Sequence, residues 1–281
     1  MSFSLIEDAN IVKLNSGKKL FVDVSKGPKH DSPAIVFMHG LGSSTSFWEA
    51  TLANSKLKEE FTLIRYDFDG HGNSPFSGAS SASDGDRLNL LELVEDLKDV
   101  LDHLEVKKAA GVVGHSMSGL VASSFAAKYP ERLDKLVLLG AMKALAPPTQ
   151  KIMLQRSHTV LEGGLSPIVA GIVHGALSKH TKETSPLSAA LVRSLVLATK
   201  PEAYAAACQA LAGAVDPDYS KIDASTLVIA GVEDYMSPME TTKFFEEKIK
   251  NVRVEEMKDV GHWHSVEQPL ELRKVLEQFF L

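Results

Sequence analysis

A single cysteine stands in 281 residues. Cys208 has no partner in its own chain, so no internal disulfide staples the fold, and a reducing compartment suits it. Its surroundings, A-A-A-C-Q-A-L, read as a small apolar filler on a helix, with no histidine or glycine turn to frame a thiol nucleophile. An excess of positive charge is also lacking. Thirty Lys and Arg face 36 Asp and Glu, for a formal net charge of −6. That excludes the basic footprint of a nucleic-acid or anionic-membrane binder. No apolar run approaches the roughly 18–20 residues that span a bilayer. The start, M-S-F-S-L-I-E-D-A-N, lacks the basic opening and long apolar stretch of a secretory signal, and the closing Q-F-F-L is no peroxisomal or prenylation tail. A cytoplasmic chain is therefore expected. Repeats and low-complexity tracts are missing as well.

What remains has the composition of a folded protein, with 44% hydrophobic and 23% charged residues, and a length that permits one large domain or two ordinary ones. Two alternating segments around N-S-G, residues 10–14 and 19–24, predict a hairpin. Further along come A-I-V-F-M (34–38), T-L-I-R-Y (62–66), A-A-G-V-V (109–113), K-L-V-L-L (135–139), T-L-V-I-A (226–230) and V-R-V-E-E-M (252–257). The first five of these are short, mostly apolar runs between turn signals, the pattern of strands buried on both faces of a parallel sheet.

Helical patterns alternate with them. Leu90, Leu93, Val94, Leu97, Val100, Leu101 and Leu104 keep the spacing of one helix face, and Asn89 with Glu92 offers a capping box. Residues 118–129 begin a helix with small side chains, and residues 239–248 and 270–280 predict two more, the last opened by Pro269. This alternation predicts an α/β fold, a mostly parallel central sheet with helices on both faces. Between Lys143 and Lys221 the rhythm breaks. Four helical patterns (152–161, 167–177, 187–198 and 202–211) follow Pro147–Pro148 without a strand, as in a helical insertion between two strands of one sheet.

The stretch G-V-V-G-H-S-M-S-G (111–119) ends a buried strand on a serine and leads into a small-residue helix. Such a sharp strand-to-helix turn needs small residues two before and two after the serine, here Gly114 and Ser118, and it lifts the hydroxyl clear of the sheet edge. A small turn serving only helix packing would look the same on this motif alone. Ser116 is inert without a base, and the base needs an orienting group. Both are expected after later strands: Asp234 in G-V-E-D-Y-M-S-P and His262 in D-V-G-H-W-H, giving the chain order Ser, Asp, His. Glu233 and His264 are the neighbouring rivals. His262 is preferred because it directly follows Gly261, where a loop can swing an imidazole over the sheet. A metal site on His262 and His264 lacks a third ligand at a telling spacing.

A negative oxygen formed by attack at Ser116 needs donors. The glycine-rich M-H-G-L-G-S-S-T (38–45) offers the amide of Leu41 beside that of Met117, with His39 as a turn-stabilising residue. Gly40-Leu41-Gly42, with Asp67 after the next strand, half-matches a dinucleotide fingerprint, but Thr45 occupies the third glycine position. That reading also leaves Ser116, Asp234 and His262 unexplained.

Taken together, H-G-L-G-S-S…W (39–48), I-R-Y-D…G-H-G-N-S (64–74), G-H-S-M-S-G (114–119), G-V-E-D (231–234) and G-H-W-H-S-V-E-Q-P (261–269) resemble the landmarks of the α/β-hydrolase superfamily across nearly the whole chain. E-A-Y-A-A-A-C-Q-A-L (202–211), followed by T-L-V-I-A-G-V-E-D, is similar to the 3-oxoadipate enol-lactonase branch. The resemblance implies a serine hydrolase with a Ser116–His262–Asp234 triad, a Leu41 and Met117 oxyanion hole, and no metal or organic cofactor. Its partner would be a small-molecule ester or lactone, with neither nucleic acid nor membrane. It also implies a core in two parts, 1–142 and 221–281, with a helical cap at 143–220. Cap cations suited to an acidic substrate are Arg156, His158, His174 and Arg193. Three positions depart from the family pattern: Ser118 replaces a glycine, Asp69 stands where arginine is common, and I-V-H-G-A-L (172–177) replaces a bulkier aromatic-containing segment. A slow-turnover ligand receptor or signalling protein of this fold, and a cofactor-free haloperoxidase or perhydrolase, share the same residues.

Overall fold

A computed structural model describes residues 9–78 and 89–281 of the chain. Its strands are β1 (Ala9–Lys13), β2 (Lys19–Ser25), β3 (Ala34–Met38), β4 (Thr62–Tyr66), β5 (Ala109–His115), β6 (Leu133–Leu139), β7 (Ser225–Gly231) and β8 (Val252–Met257). They form one sheet in the order β1-β2-β4-β3-β5-β6-β7-β8. β2 pairs antiparallel with both its neighbours, and every pairing from β4 to β8 is parallel. The predicted hairpin is therefore an antiparallel extension on a parallel sheet.

β3 is buried at all five positions. Full burial of a Val, Ile or Phe contributes about 1.5–3 kcal/mol each, so Ile35, Val36 and Phe37 hold this strand at the centre. At the far edge, β8 exposes Arg253 and Glu255, paired at 3.6 Å, a charged margin where the ladder ends. The order reverses around β3: β4 lies on one side and β5 on the other. Ligands of open α/β sheets bind beyond the carboxyl ends of the strands at such a reversal.

The helices are α1 (Glu49–Leu52), α2 (Leu90–His103), α3 (Met117–Lys128), α4 (Pro147–Gly163), α5 (Ser166–Ala176), α6 (Lys179–Thr184), α7 (Pro186–Leu197), α8 (Pro201–Ala212), α9 (Met239–Lys248), α10 (His264–Glu267) and α11 (Pro269–Phe280). α2 buries Leu90, Leu93, Val94, Leu97, Val100 and Leu101, as the spacing requires, and Asn89 Oδ1 accepts the Glu92 amide at 3.1 Å. α3 is buried from Met117 through Ala126, which explains its small side chains.

α4 to α8 occupy the whole connection between β6 and β7, and α4 packs along α8. Proline stands at the first or second position of α4, α5, α7 and α8, where its missing N–H costs nothing. Pro147–Pro148, read from sequence as the start of the insertion, open α4. The sequence gives no warning of α6: K-H-T-K-E-T has no apolar stripe, and its start is fixed by Ser178 Oγ, which accepts the Thr181 amide at 3.1 Å. β5 runs two residues beyond the expected A-A-G-V-V because its parallel neighbours β3 and β6 extend the ladder through Gly114 and His115.

Candidate active site

Ser116 follows β5 at the point where the strand order reverses. Its backbone takes φ 58° and ψ −121°, a region few non-glycine residues enter. The tightness of this turn is visible at Gly114, where a Cβ would stand 2.3 Å from the Ser118 carbonyl oxygen. Ser118, smaller than anything but alanine or glycine, does more than fit. Its buried hydroxyl lies 2.9 Å from the carbonyl oxygens of both Met38 and His115, tying the end of β3 to the turn. Ser116 N–H donates to Leu139 O at 3.0 Å, and its carbonyl accepts from the Gly119 and Met142 amides.

The three residues singled out from separate loops meet here. His262 Nδ1–H donates to Asp234 Oδ2 at 2.8 Å, leaving Nε2 to accept from the Ser116 hydroxyl at 2.7 Å. All three are buried. The other Asp234 oxygen accepts the amides of Met236 (2.8 Å) and Ser237 (2.9 Å), so the carboxylate is fixed in orientation. Burial alone would raise that carboxyl. The His262 imidazole against it, with His264 nearby and the Ser237 amide, holds it below the ordinary aspartate value, and it stays charged.

The rivals are placed elsewhere. Glu233 accepts the Lys179 amide at 2.8 Å. His264 is fully buried and donates Nδ1–H to the His262 carbonyl at 3.0 Å, while His115 Nε2–H donates to the same oxygen at 2.7 Å. Burial first, then the neighbouring imidazoles, push His115 well below the ordinary histidine value; burial also lowers His264 against the pull of Asp234. Both are neutral braces for the His262 peptide.

The H-G-L-G loop runs directly against the serine: a Cβ on Gly40 would lie 2.9 Å from Ser116 Cβ. Leu41 follows on the cavity wall. Met117 is the first residue of α3, where the N–H has no acceptor within the helix. His39 is wholly buried, donating Nδ1–H to Gly40 O (2.8 Å) and accepting the Phe68 amide at Nε2 (3.1 Å). Asp67, the would-be ribose ligand, is occupied in holding two turns together through the Thr45 and Asn73 amides at 2.5 and 2.8 Å.

A cavity of about 530 Å³ opens over Ser116 and His262. The insert supplies Met153, Arg156, Ile172, Ala176 and Tyr204 to its wall, and the Asp234 loop adds Tyr235 and Met236. Of the four cations considered from sequence, Arg156 is the one on this wall, beside Tyr204 and Cys208. His158, His174 and Arg193 lie outside its lining. Burial pushes the Cys208 thiol up to about 12, against the pull of Arg156, as befits a packing residue.

One contributor escaped the sequence reading. Glu267 Oε1 accepts the amides of Gly261 (3.0 Å) and Trp263 (3.1 Å), on either side of His262. Its position in V-E-Q-P, five residues past His262, was the available signal, but only the folded turn reveals which amides it meets.

An open, mostly parallel sheet with this strand order and a serine raised on a strained turn after the fifth strand defines a fold class, and the comparisons name it. A model of the alpha/beta hydrolase fold matches residues 33–167, and the chain belongs to the alpha/beta hydrolase family. It is 30% identical over 265 residues to 3-oxoadipate enol-lactonase 1 of Acinetobacter baylyi, covering 94% of this chain and 93% of that protein. It is 29% identical over 248 residues to 3-oxoadipate enol-lactonase 2 of the same organism, covering 88% of each. Among solved structures, the enol-lactonase from Burkholderia xenovorans LB400 superposes with a TM-score of 0.86 at 25% identity, over 96% of this chain and 99% of that one. Among the described residues, no helix is long and apolar enough to cross a membrane.

Proposed function

We propose that this chain is a serine hydrolase that cleaves a carboxylic ester or lactone through an acyl-enzyme. His262, oriented by Asp234, takes the Ser116 proton as Oγ attacks the carbonyl carbon. The oxyanion that forms rests on the Leu41 and Met117 amides, a kind of contact for which loss of one donor costs about 2.7–4 kcal/mol in comparable enzymes. His262, now protonated, gives its proton to the departing alkoxide. A water molecule, deprotonated by the same imidazole, then attacks the acyl carbon, and collapse of the second oxyanion returns the proton to Ser116. With a lactone, the alcohol and the acid remain one molecule, so a single product leaves.

The reading is carried by one observation: an unbroken relay from Ser116 Oγ through His262 to Asp234, with links of 2.7 and 2.8 Å, at the floor of a largely apolar cavity. In this reading residues 143–220 are the cap that roofs the site and selects the substrate. A 3-oxoadipate enol-lactone-like molecule is favoured by the names of the two curated relatives. Such a lactone keeps a free carboxylate, and Arg156 is the cation positioned to receive it. Lys143 also reaches the wall, but its ammonium lies over the Phe244 ring at 4.9 Å.

A panel of p-nitrophenyl esters of rising length beside small lactones, run on wild type and Ser116→Ala, tests the reading. Turnover of an ester or lactone that vanishes in Ser116→Ala is expected. Equal turnover by the two proteins refutes it.

A further inference from the structure

The loops that carry Asp234 and His262 are gripped from above by one short segment of the insert, the bend between α5 and α6. His262 N–H donates to Ala176 O at 2.7 Å. Ser178 N–H donates to Glu267 Oε2 at 2.8 Å, while the other oxygen of that carboxylate holds the amides flanking His262. Lys179 N–H donates to Glu233 Oε2 at 2.8 Å, on the residue before Asp234. Three residues within a four-residue stretch, Ala176, Ser178 and Lys179, thus meet both loops through their own main-chain atoms.

The approach is as close as backbones allow. A Cβ on Gly261 would lie 2.6 Å from Ala176 O and 2.7 Å from Ser178 N, so the glycine before His262 is what lets the bend seat. Leu177 is buried between these contacts, and Ser188 Oγ of α7 adds a bond to Val266 O at 3.2 Å. On its other side, the bend continues α5, whose Ile172 and Ala176 line the cavity.

We infer that residues 176–179 form a clasp that positions His262 and Asp234, with Glu267 as the positioning residue that transmits it; the inference rests on the catalytic reading above. The bonds to Gly261 and Trp263 shape the histidine loop, and the bond to Ser178 fixes that loop to the insert. Without that bond, the imidazole keeps its local turn and its direct bond to Ala176 O, but its height above Ser116 is held less tightly. A displacement of about 1 Å in a reacting group costs on the order of 10²-fold in rate, so the clasp acts on turnover and not on substrate affinity.

The decisive variant is Glu267→Gln. Its carbonyl oxygen still accepts from Gly261 and Trp263, but its NH₂ group faces the Ser178 N–H, donor against donor. Lys179→Pro provides a second and gentler cut. Position 179 begins α6, where proline is tolerated, and Ser178 before it already has the extended backbone that proline demands (φ −62°, ψ 161°). The substitution deletes the N–H that donates to Glu233, together with an exposed lysine side chain that none of the clasp bonds uses.

Kinetics with p-nitrophenyl acetate are run on wild type, Ser116→Ala, Glu267→Gln, Glu267→Ala and Lys179→Pro, each checked for native near-UV circular dichroism. On the scale set by displacement costs, kcat falls about 10-fold in Glu267→Gln and about 100-fold in Glu267→Ala, with KM within about twofold. Lys179→Pro lowers kcat in the same sense even if both Glu267 variants fail to fold. Glu267→Gln with wild-type kcat, or Lys179→Pro with wild-type kcat should the Glu267 variants not fold, overturns the clasp while leaving the catalytic reading intact. Full turnover by Ser116→Ala overturns both.

Discussion

Replacing His39 with glutamine changes how the protein responds to acid, by an amount that follows from its surroundings. His39 is wholly buried, with Nδ1–H committed to Gly40 O and Nε2 accepting the Phe68 amide. A second proton on Nε2 would face that N–H with another donor, and it would sit near the His71 ring, whose centroid is 5.5 Å away. Burial therefore lowers His39 from 6.5 to about 4. The unfolded chain takes up the proton near pH 6.5 and the native chain does not, so the stability held above 6.5 is lost as pH falls towards 4. Linkage puts the loss from this residue at about 2 kcal/mol by pH 5 and about 3 kcal/mol by pH 4, a large part of the roughly 5–15 kcal/mol that folded domains possess. Carboxyls such as Asp96, which burial raises to about 6, titrate in the opposite sense. They cancel in a comparison of variant with wild type. Urea unfolding of both proteins at pH 7.5 and pH 5 can be followed by fluorescence, since both tryptophans, Trp48 and Trp263, are buried. His39→Gln is expected to lose stability at pH 7.5 and to recover about 2 kcal/mol relative to wild type at pH 5. A difference that stays constant to within about 0.5 kcal/mol, well below the linkage value, refutes the buried neutral histidine.

Three further outcomes follow from the site. Asp234→Asn keeps the amide contacts of Met236 and Ser237 but presents His262 with a neutral partner; kcat for p-nitrophenyl acetate should fall about 10⁴-fold, as such a change does in comparable triads. Ser118→Ala removes the hydroxyl between Met38 O and His115 O, and unfolding should show a loss of about 1–3 kcal/mol from buried acceptors left short of a donor. Arg156→Gln should raise KM for lactones that carry a carboxylate by at least about 10-fold, from the loss of a charged hydrogen bond worth roughly 1.5–3 kcal/mol, while KM for p-nitrophenyl acetate stays near wild type.

The parts of the molecule readable from sequence were those fixed by short-range rules. Apolar runs bounded by turns marked β3 to β7, because a strand buried on both faces has little room for polar side chains, while alternation marked the β1–β2 hairpin and the charged edge strand β8. Ser116, Asp234 and His262 were legible because each follows one of those strands in a turn with its own composition. Contacts between main-chain atoms and side chains far apart in the chain were not legible. Nothing in K-H-T-K-E-T suggests a helix, and α6 exists through a cap on Ser178 and docking on the loops below it. Adjacency alone makes Glu233 a rival to Asp234 in the sequence; the turn directs it outward to Lys179 and its neighbour inward to His262. The sequence shows Ser118 only as a small residue, whereas its hydroxyl joins two elements 80 residues apart, at Met38 and Ser118.

The left-handed backbone at Ser116 sets durability against chemistry within one residue. A side chain held at such an angle carries a penalty of about 1–3 kcal/mol that glycine would not incur. On the proposed mechanism, glycine at position 116 would relieve that strain and remove the nucleophile in the same stroke, so ruggedness and reactivity pull against each other at this one residue.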